Sequence, residues 1–469
     1  MKLKDLGFWF RDFWAEFRRE GSGLVGLALL ILFLLVTIFE NPLLPFKEAN
    51  TRWRDITYWQ DNPINAPPVW TNLFAAKKAA RTANLERGTR QELTNAEGET
   101  FVTESFVYHF KADKAPLDII VHSTLAGSVP LTVEVQRPDG TTLQISQRYV
   151  EYDSPTPVRF SVNNDSKDSL FAFLKLHEAQ ANLSRISSGS IRSTEILFNK
   201  AREGMAASFE SLKGDYRFTI KAQVLNREQF SMDDTRLVVT GSVSGLLGTD
   251  NMKRDIFSGL VAGLKWALFI GLFTSAVSVL IGVFYGIMSA YFGGIVDTIM
   301  QFIYQIFVSI PLLPVLIVVS AVFKPSIWFL IGVMVIFFWP GSVMTVRSMA
   351  FQIKEETYIE AARALGAGHR RIIFNHMAPL LIPYSFASMA LSVPSAIVYE
   401  SSVSLLGLGD ASIVTWGQIL HDAMLGNAIL NGLWWWVIPP GLAIAIMGMT
   451  FAFLGFAMDR ILHPKLRTR

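Results

Sequence analysis

Six stretches of this chain are long and apolar enough, or nearly so, to cross a lipid bilayer: residues 23–39, 266–290, 299–323, 327–346, 380–406 and 433–456. A bilayer core calls for roughly 20 consecutive, mostly apolar residues per helix. Backbone in lipid must satisfy its own hydrogen bonds, so runs of this kind can only be helices. The first run is short and the fifth is unusually polar, with a serine every few residues. Hydrophobic residues make up 51% of the chain and charged residues only 17%, too apolar for an ordinary soluble protein of this length. The fold class that follows is an α-helical polytopic membrane protein of six transmembrane helices. A large polar insertion separates the first two.

Charge gives the orientation. Lys2, Lys4, Arg11, Arg18 and Arg19 precede the first run, Arg347, Lys354, Arg363, Arg370 and Arg371 follow the fourth, and Arg460, Lys465, Arg467 and Arg469 close the chain. With six spans these groups share one side, which the positive-inside rule makes cytoplasmic. Residues 407–432, between the fifth and sixth runs, hold no Lys or Arg. Both termini are therefore expected inside the cell membrane and residues 41–260 outside. Residues 40–260 carry 26 Lys and Arg against 27 Asp and Glu, so the net +3 of the chain belongs to the membrane part and does not point to nucleic acid. In residues 1–21, Phe10, Phe13, Trp14 and Phe17 recur at helical spacing, which predicts an amphipathic helix lying on the cytoplasmic leaflet. The apolar run at 22–40 reads as an uncleaved anchor, because it follows four acidic residues and lacks a small-residue cleavage site. The chain has no cysteine, which excludes disulfides, thiolate metal sites and a catalytic thiol.

The insertion, residues 41–246, is long enough for its own core. It opens with Trp53, Trp59, Pro63, Pro67, Pro68 and Trp70, a composition that predicts an irregular tether. Tyr216, Phe218, Ile220, Ala222 and Val224 then alternate with polar residues, as a half-buried strand requires. Leu131, Val133 and Val135 alternate likewise, and Pro138-Asp139-Gly140 turns the chain toward Leu143 and Ile145 as a hairpin. Further strands are expected at 101–110, 117–122, 158–162 and 237–243, giving a mainly-β, sandwich-like domain. Residues 176–205 read as a helical excursion.

Residues 360–379, EAARALGAGHRRIIFNHMAP, place an alanine-rich helix, a Gly-x-Gly break and a basic segment between two apolar runs. Tyr358, Ala361, Ala362 and Leu365 share one helical face, and the small side chains admit close approach by a partner. Gly366 and Gly368 are expected to turn the chain, and Glu360 to cap the helix or pair with Arg363 or Arg370. This Glu-Ala-Ala pattern resembles the coupling loop of permease subunits of ABC importers, set within residues 347–378. The generic Ile and Leu of that pattern are His376 and Ala378 here, and the His-x-x-Pro ending suits the dipeptide, oligopeptide and nickel branch. Residues 247–255, LGTDNMKRD, resemble the LGTDxxGRD stretch before the second span of that branch, with Lys253 where glycine is usual. Asp250, Arg254 and Asp255 there are candidates for an outer gate or for capping the start of the next helix. Residues 400–409, ESSVSLLGLG, resemble a third family segment, ExSLSFLGLG, with Trp416-Gly417 after it and the intervening prolines absent.

The resemblance covers the first run and everything from Leu247 onward, about half of the chain. It implies a type I ABC importer permease fold with a five-helix core over 247–469. The function it implies is a C-type permease that imports dipeptides or oligopeptides by alternating access. The implied partners are a second permease, two cytoplasmic ATPases and an external substrate-binding protein, around a lipid bilayer. ATP and magnesium belong to the ATPases, since the chain has no Gly-Lys-Ser or Gly-Lys-Thr phosphate loop, no His-Glu-x-x-His helix and no Gly-x-Ser-x-Gly elbow, and so neither a cofactor site nor a catalytic residue. In the fifth run Ser388, Ser392, Ser395, Tyr399, Glu400 and Ser402 are candidates for lining the translocation path, because a polar stripe in lipid must face protein or water. Nickel or oligosaccharide cargo, or a membrane sensor that uses the external domain, are the alternative readings. The external domain itself is expected to dock or shield the binding protein.

Overall fold

The computed structural model describes residues 13–44, 46–47, 49–126, 129–150, 158–183 and 186–462. Most of the expected amphipathic lead-in and the basic tail from His463 lie outside the described residues. Two compact units divide the chain: Asp55–Phe257, and Met1–Arg54 together with Ser258–Arg469.

The inserted unit is built on two antiparallel sheets. Strands β1 (Ala83–Leu85), β2 (Thr89–Thr94), β3 (Thr100–Phe110), β4 (Asp118–Ala126), β5 (Val129–Gln136), β6 (Thr142–Val150), β7 (Val158–Arg159), β8 (Gly214–Val224) and β9 (Ser231–Thr240) form a four-stranded sheet ordered β1-β9-β4-β7 and a five-stranded sheet ordered β2-β3-β8-β5-β6. Alternation decides which face turns inward: Tyr216, Phe218, Ile220 and Ala222 of β8 are fully buried while the residues between them are not. They join Ile119, Val121, Leu237 and Val239 of the other sheet in one hydrophobic core. The expected hairpin is present, with Val135 of β5 opposite Leu143 of β6. Helix α2 (Asn164–His177) starts well before the helical excursion expected at 176–205, because Asn163 caps it by accepting a hydrogen bond from the Asp165 N–H. A second helix, α3, spans Ser193–Phe198. The tether also differs from expectation: it coils into short helical turns at Ala49–Arg54 and Ile56–Trp59, with Trp53 and Trp59 buried. The two ends of the unit are stitched to each other. The Asn65 N–H donates to the Asp250 carbonyl, Thr249 N–H to Ala66, Ser244 N–H to Pro67 and Val69 N–H to Gly245.

The other unit is helical: α1 (Gly21–Ile38), α4 (Ile256–Phe292), α5 (Gly294–Ser309), α6 (Leu312–Val322), α7 (Ile327–Phe338), α8 (Pro340–Lys354), α9 (Thr357–Ala364), α10 (Ala378–Leu405), α11 (Trp416–Leu425) and α12 (Trp434–Leu462). Five helical stretches among the described residues are long and apolar enough to cross a membrane, six if α5 and α6 count as one broken span. The third apolar run is thus not the straight helix its hydropathy suggests. Residues α5 and α6 are bent by 72° at Ile310-Pro311. Proline has no N–H to continue the ladder and forces its predecessor out of the helical region, and Ile310 accordingly sits at φ −85°, ψ 120°. Helices α4 and α8 cross at contact distance. A β-carbon on Gly282 would lie 2.3 Å from the Trp339 carbonyl oxygen, and one on Gly286 would lie 2.9 Å from that of Val343. Small residues at a crossing are how membrane helices gain packing where lipid supplies no hydrophobic drive.

Candidate functional site

The Glu-Ala-Ala segment folds as α9, eight residues long. Alanine has the highest helix propensity, yet a helix this short is marginal alone. One side chain anchors it. Ile359 is 0% exposed and packs with Val283 and Ile287 of α4, Val346 and Ala350 of α8, and Ile372 and Met377. Withdrawing such a side chain from water stabilises by about 2 kcal/mol. With Ile359 inward, Tyr358, Glu360, Ala361 and Leu365 are all exposed and Ala362 is half-buried. Leu365 is 89% exposed.

The helix ends in a Schellman motif. The Gly366 N–H donates to the Arg363 carbonyl and the Ala367 N–H to that of Ala362, both at 3.0 Å. This geometry needs a left-handed residue, and Gly366 supplies it at φ +81°. Gly368 does not share the role expected of it: at φ −72°, ψ 162° it is in extended backbone open to any residue. The expected pairing of Glu360 is also not made, since no ion pair joins it to Arg363 or Arg370 among the described residues. Arg363 instead lies 5.9 Å above the Tyr291 ring, whose hydroxyl is 2.7 Å from His369 Nδ1. Tyr291, at the end of α4, therefore holds both limbs of the turn. Neither Tyr291 nor Ile359 was singled out from sequence; an isolated apolar residue within a polar, alanine-rich helix was the available signal for Ile359.

After the turn, residues Ile372–Met377 form a π-helical turn that leads into α10. The wider turn brings Ile372 and Met377, five residues apart, onto the same core. Nearby, Arg347 of α8 grips Asp297 of α5 through a two-pronged ion pair, with Nε to Oδ1 at 2.7 Å, and Asp297 also accepts from the Ser289 hydroxyl. The buried side of α9 thus rests on α4, α8 and the π-helical turn that opens α10, and Asp297 ties α5 to α8 and α4 beside them.

The stripe candidates on α10 do not form one surface. Glu400 is 4% exposed and accepts hydrogen bonds from the Ser404 hydroxyl at 2.7 Å and the Ser401 hydroxyl at 3.3 Å. Ser395 is exposed, and Ser388, Ser392, Tyr399 and Ser402 are half-buried. Ser392 and Ser402 donate to the carbonyls of Ser388 and Val398 one turn back on their own helix. The serine face therefore looks out of this chain while the carboxylate looks into it.

In the inserted unit Asp250 is fully buried, accepting from Arg254 Nε at 2.6 Å and from the Met252 and Arg254 backbone N–H groups at 2.8 Å. Burial pushes its carboxyl above the ordinary value, against the pull of Arg254. Asp255 lies against Gly245. Lys253, which stands where the resembled motif has glycine, is held at φ +67° in the left-handed region that favours glycine, with its ammonium donating to the Gln60 carbonyl.

Residues 278–468 match the family described as binding-protein-dependent transport system inner membrane component, and residues 7–68 match the N-terminal transmembrane domain of oligopeptide transport permease C. The dipeptide transport system permease protein DppC of Bacillus subtilis is 34% identical over 47% of this chain and 68% of its own length. OppC of the same organism, an oligopeptide transport system permease protein, is 34% identical over 47% of this chain and 72% of its own. YejE of Agrobacterium fabrum, a peptidoglycan transport system permease protein, is 33% identical over 35% of this chain and 43% of its own.

Proposed function

Since the chain belongs to the binding-protein-dependent transport system inner membrane component family and is a permease subunit of the peptide-type ABC importers, we propose that it imports dipeptides or oligopeptides and is driven through α9. In this reading α5 and α6 together make one of six spans, both termini are cytoplasmic, and the inserted unit lies outside. A second permease completes the translocation path. Two cytoplasmic ATPases, which bind ATP and magnesium, grip one coupling helix each, and an external binding protein delivers cargo.

The observation that carries the reading is the state of α9. It is a short helix fixed to α4, α8 and the start of α10 through Ile359, Tyr291 and the π-helical turn, yet it offers solvent a smooth face of Ala361, Ala362 and Tyr358 with Leu365 projecting beyond it. A fixed base and a protruding apolar tip are what a push from a soluble partner needs. The serine face of α10 is left for the second permease, and Glu400 for holding α10 against the segment that follows it. Asp250 and Arg254 hold closed the loop that leads into α4, and Asp255 packs beside them.

The test is uptake. Co-expressed with its ATPase and binding-protein partners in proteoliposomes, the wild-type chain is expected to support ATP-dependent peptide uptake. Leu365→Asp, which alters an exposed side chain, is expected to reduce uptake and ATPase co-purification at least tenfold while the chain still reaches the membrane. Unchanged uptake in that variant would reject coupling through α9.

A further inference from the structure

The inserted unit contains a cleft of about 830 Å³, walled by the segment before β4, the start of α2, the start of α3 and the chain around Phe209. Its charges are one-sided once internal pairs are set aside. Arg192 is paired with Glu195 at 2.8 Å, and Asp113 with Lys213 at 2.7 Å. That leaves Lys77, Lys114 and Lys167 lining the cleft, none of them in an ion pair among the described residues. Deeper in, Ser193 is 4% exposed, and its hydroxyl has no hydrogen-bond partner among the described residues. A buried hydroxyl without a partner is uncommon in native proteins and asks for an occupant that supplies one. Ala115, Pro116 and Ile191 give the same cleft an apolar, buried wall.

We propose that this cleft binds a ligand of short-peptide size that carries a free carboxylate and an apolar body. The lysines supply the field for the carboxylate, Ser193 a hydrogen bond inside, and the apolar wall the remaining contact. Ligand sites of several hundred Å³ combine these ingredients, a mostly apolar lining and a few placed polar groups. Such a site makes the inserted unit a ligand-sensing or ligand-holding module of the permease. The inference does not depend on the cargo of the pore, and it is measured without ATPase or transport.

The experiment is calorimetric titration of the full chain in lipid nanodiscs with N-acetyl-Ala-Leu-Ala as the free acid, with the C-terminal amide of the same peptide, and with inorganic phosphate. The expected result is saturable one-site binding of the acid, at least tenfold weaker binding of the amide, and no competition from phosphate. The double variant Lys114→Glu, Lys167→Glu changes two side chains outside the core and is expected to weaken the acid at least tenfold without moving the melting temperature. Ser193→Leu is expected to abolish binding, and Lys77→Glu to weaken it independently of any folding effect at Ser193. Equal affinity for acid and amide, displacement by phosphate, or no saturable binding to the wild-type chain would each overturn the proposal.

Discussion

The two glycines of the turn after α9 are two residues apart, yet they should respond in opposite ways to the same methyl group. At neither position would a β-carbon meet any atom within 4 Å, so packing is removed from the comparison and only backbone conformation remains. Gly366 lies at φ +81°. An L-residue held in the left-handed region costs about 1–2 kcal/mol. Gly366→Ala should therefore destabilise the end of α9 by that amount, raising the opening equilibrium of the helix by roughly 5- to 30-fold. Gly368, at φ −72°, carries no such cost. Gly368→Ala should instead stabilise slightly, by about 0.4–1 kcal/mol, because it removes freedom from the unfolded chain alone. Hydrogen exchange of the full chain in nanodiscs reads both. The Leu365, Gly366 and Ala367 amides, which bond to Ala361, Arg363 and Ala362, should exchange faster in the first variant and no faster in the second. Equal loss of protection in both variants, or none in either, would refute the assignment of the turn to Gly366.

Two further outcomes are expected in the inserted unit. Arg137 is 2% exposed, donates to the Leu197 and Asn199 carbonyls at 3.0 and 2.7 Å and to Asp139 at 2.9 Å, and lies 4.7 Å over the Phe173 ring. Arg137→Leu strands those acceptors and should cost about 3–5 kcal/mol in denaturant unfolding; a loss under about 1 kcal/mol would contradict this. Burial raises the Asp61 carboxyl, but the hydrogen bond to His122 and the charges of His122, Arg236 and Arg159 outweigh it and hold the group below its ordinary value of 3.8. A depressed carboxylate stabilises the fold above its unfolded value and loses that contribution as pH falls through its folded one. Stability should therefore decline as pH drops below about 4, and Asp61→Asn should flatten that decline in a tryptophan-fluorescence acid titration. An unchanged acid profile in Asp61→Asn would assign the effect elsewhere.

What the sequence disclosed and what it withheld divide along physical lines. Runs of apolar residues announced the helices, since burial in lipid is written in composition, and the alternation from Tyr216 to Val224 announced β8 because one face is buried. Strand β2, Thr89–Thr94, was not foreseen: all six of its residues are exposed, so no alternation marks it, and only pairing with β3 makes it a strand. A proline at 311 within an apolar run permits a kink, but hydropathy cannot see that the break reaches 72°. In the candidate site, the residues facing outward were legible because small and exposed types stand out in a membrane protein. Ile359 and Tyr291, which fix α9 from within, are ordinary apolar and aromatic residues, and long-range packing alone gives them their roles. Lys253 is the reverse case. A departure from a motif became intelligible once the backbone angle was known, since the position wants a glycine conformation and a lysine tolerates it.

The stitched ends of the inserted unit have a bearing on how such a protein can change over generations. Asn65 and Ala66 on one side and Thr249 and Asp250 on the other are hydrogen-bonded neighbours, so some 180 residues leave and rejoin the chain at almost the same point. A segment with adjacent ends behaves as a cassette. It can be lengthened, exchanged or excised with a bridge of a few residues and without asking the helices on either side to move, as domain insertions at close termini generally permit. Variation in this protein should therefore collect inside the cassette, leaving the α9 turn and the cores around it under the narrower tolerance that shared packing imposes.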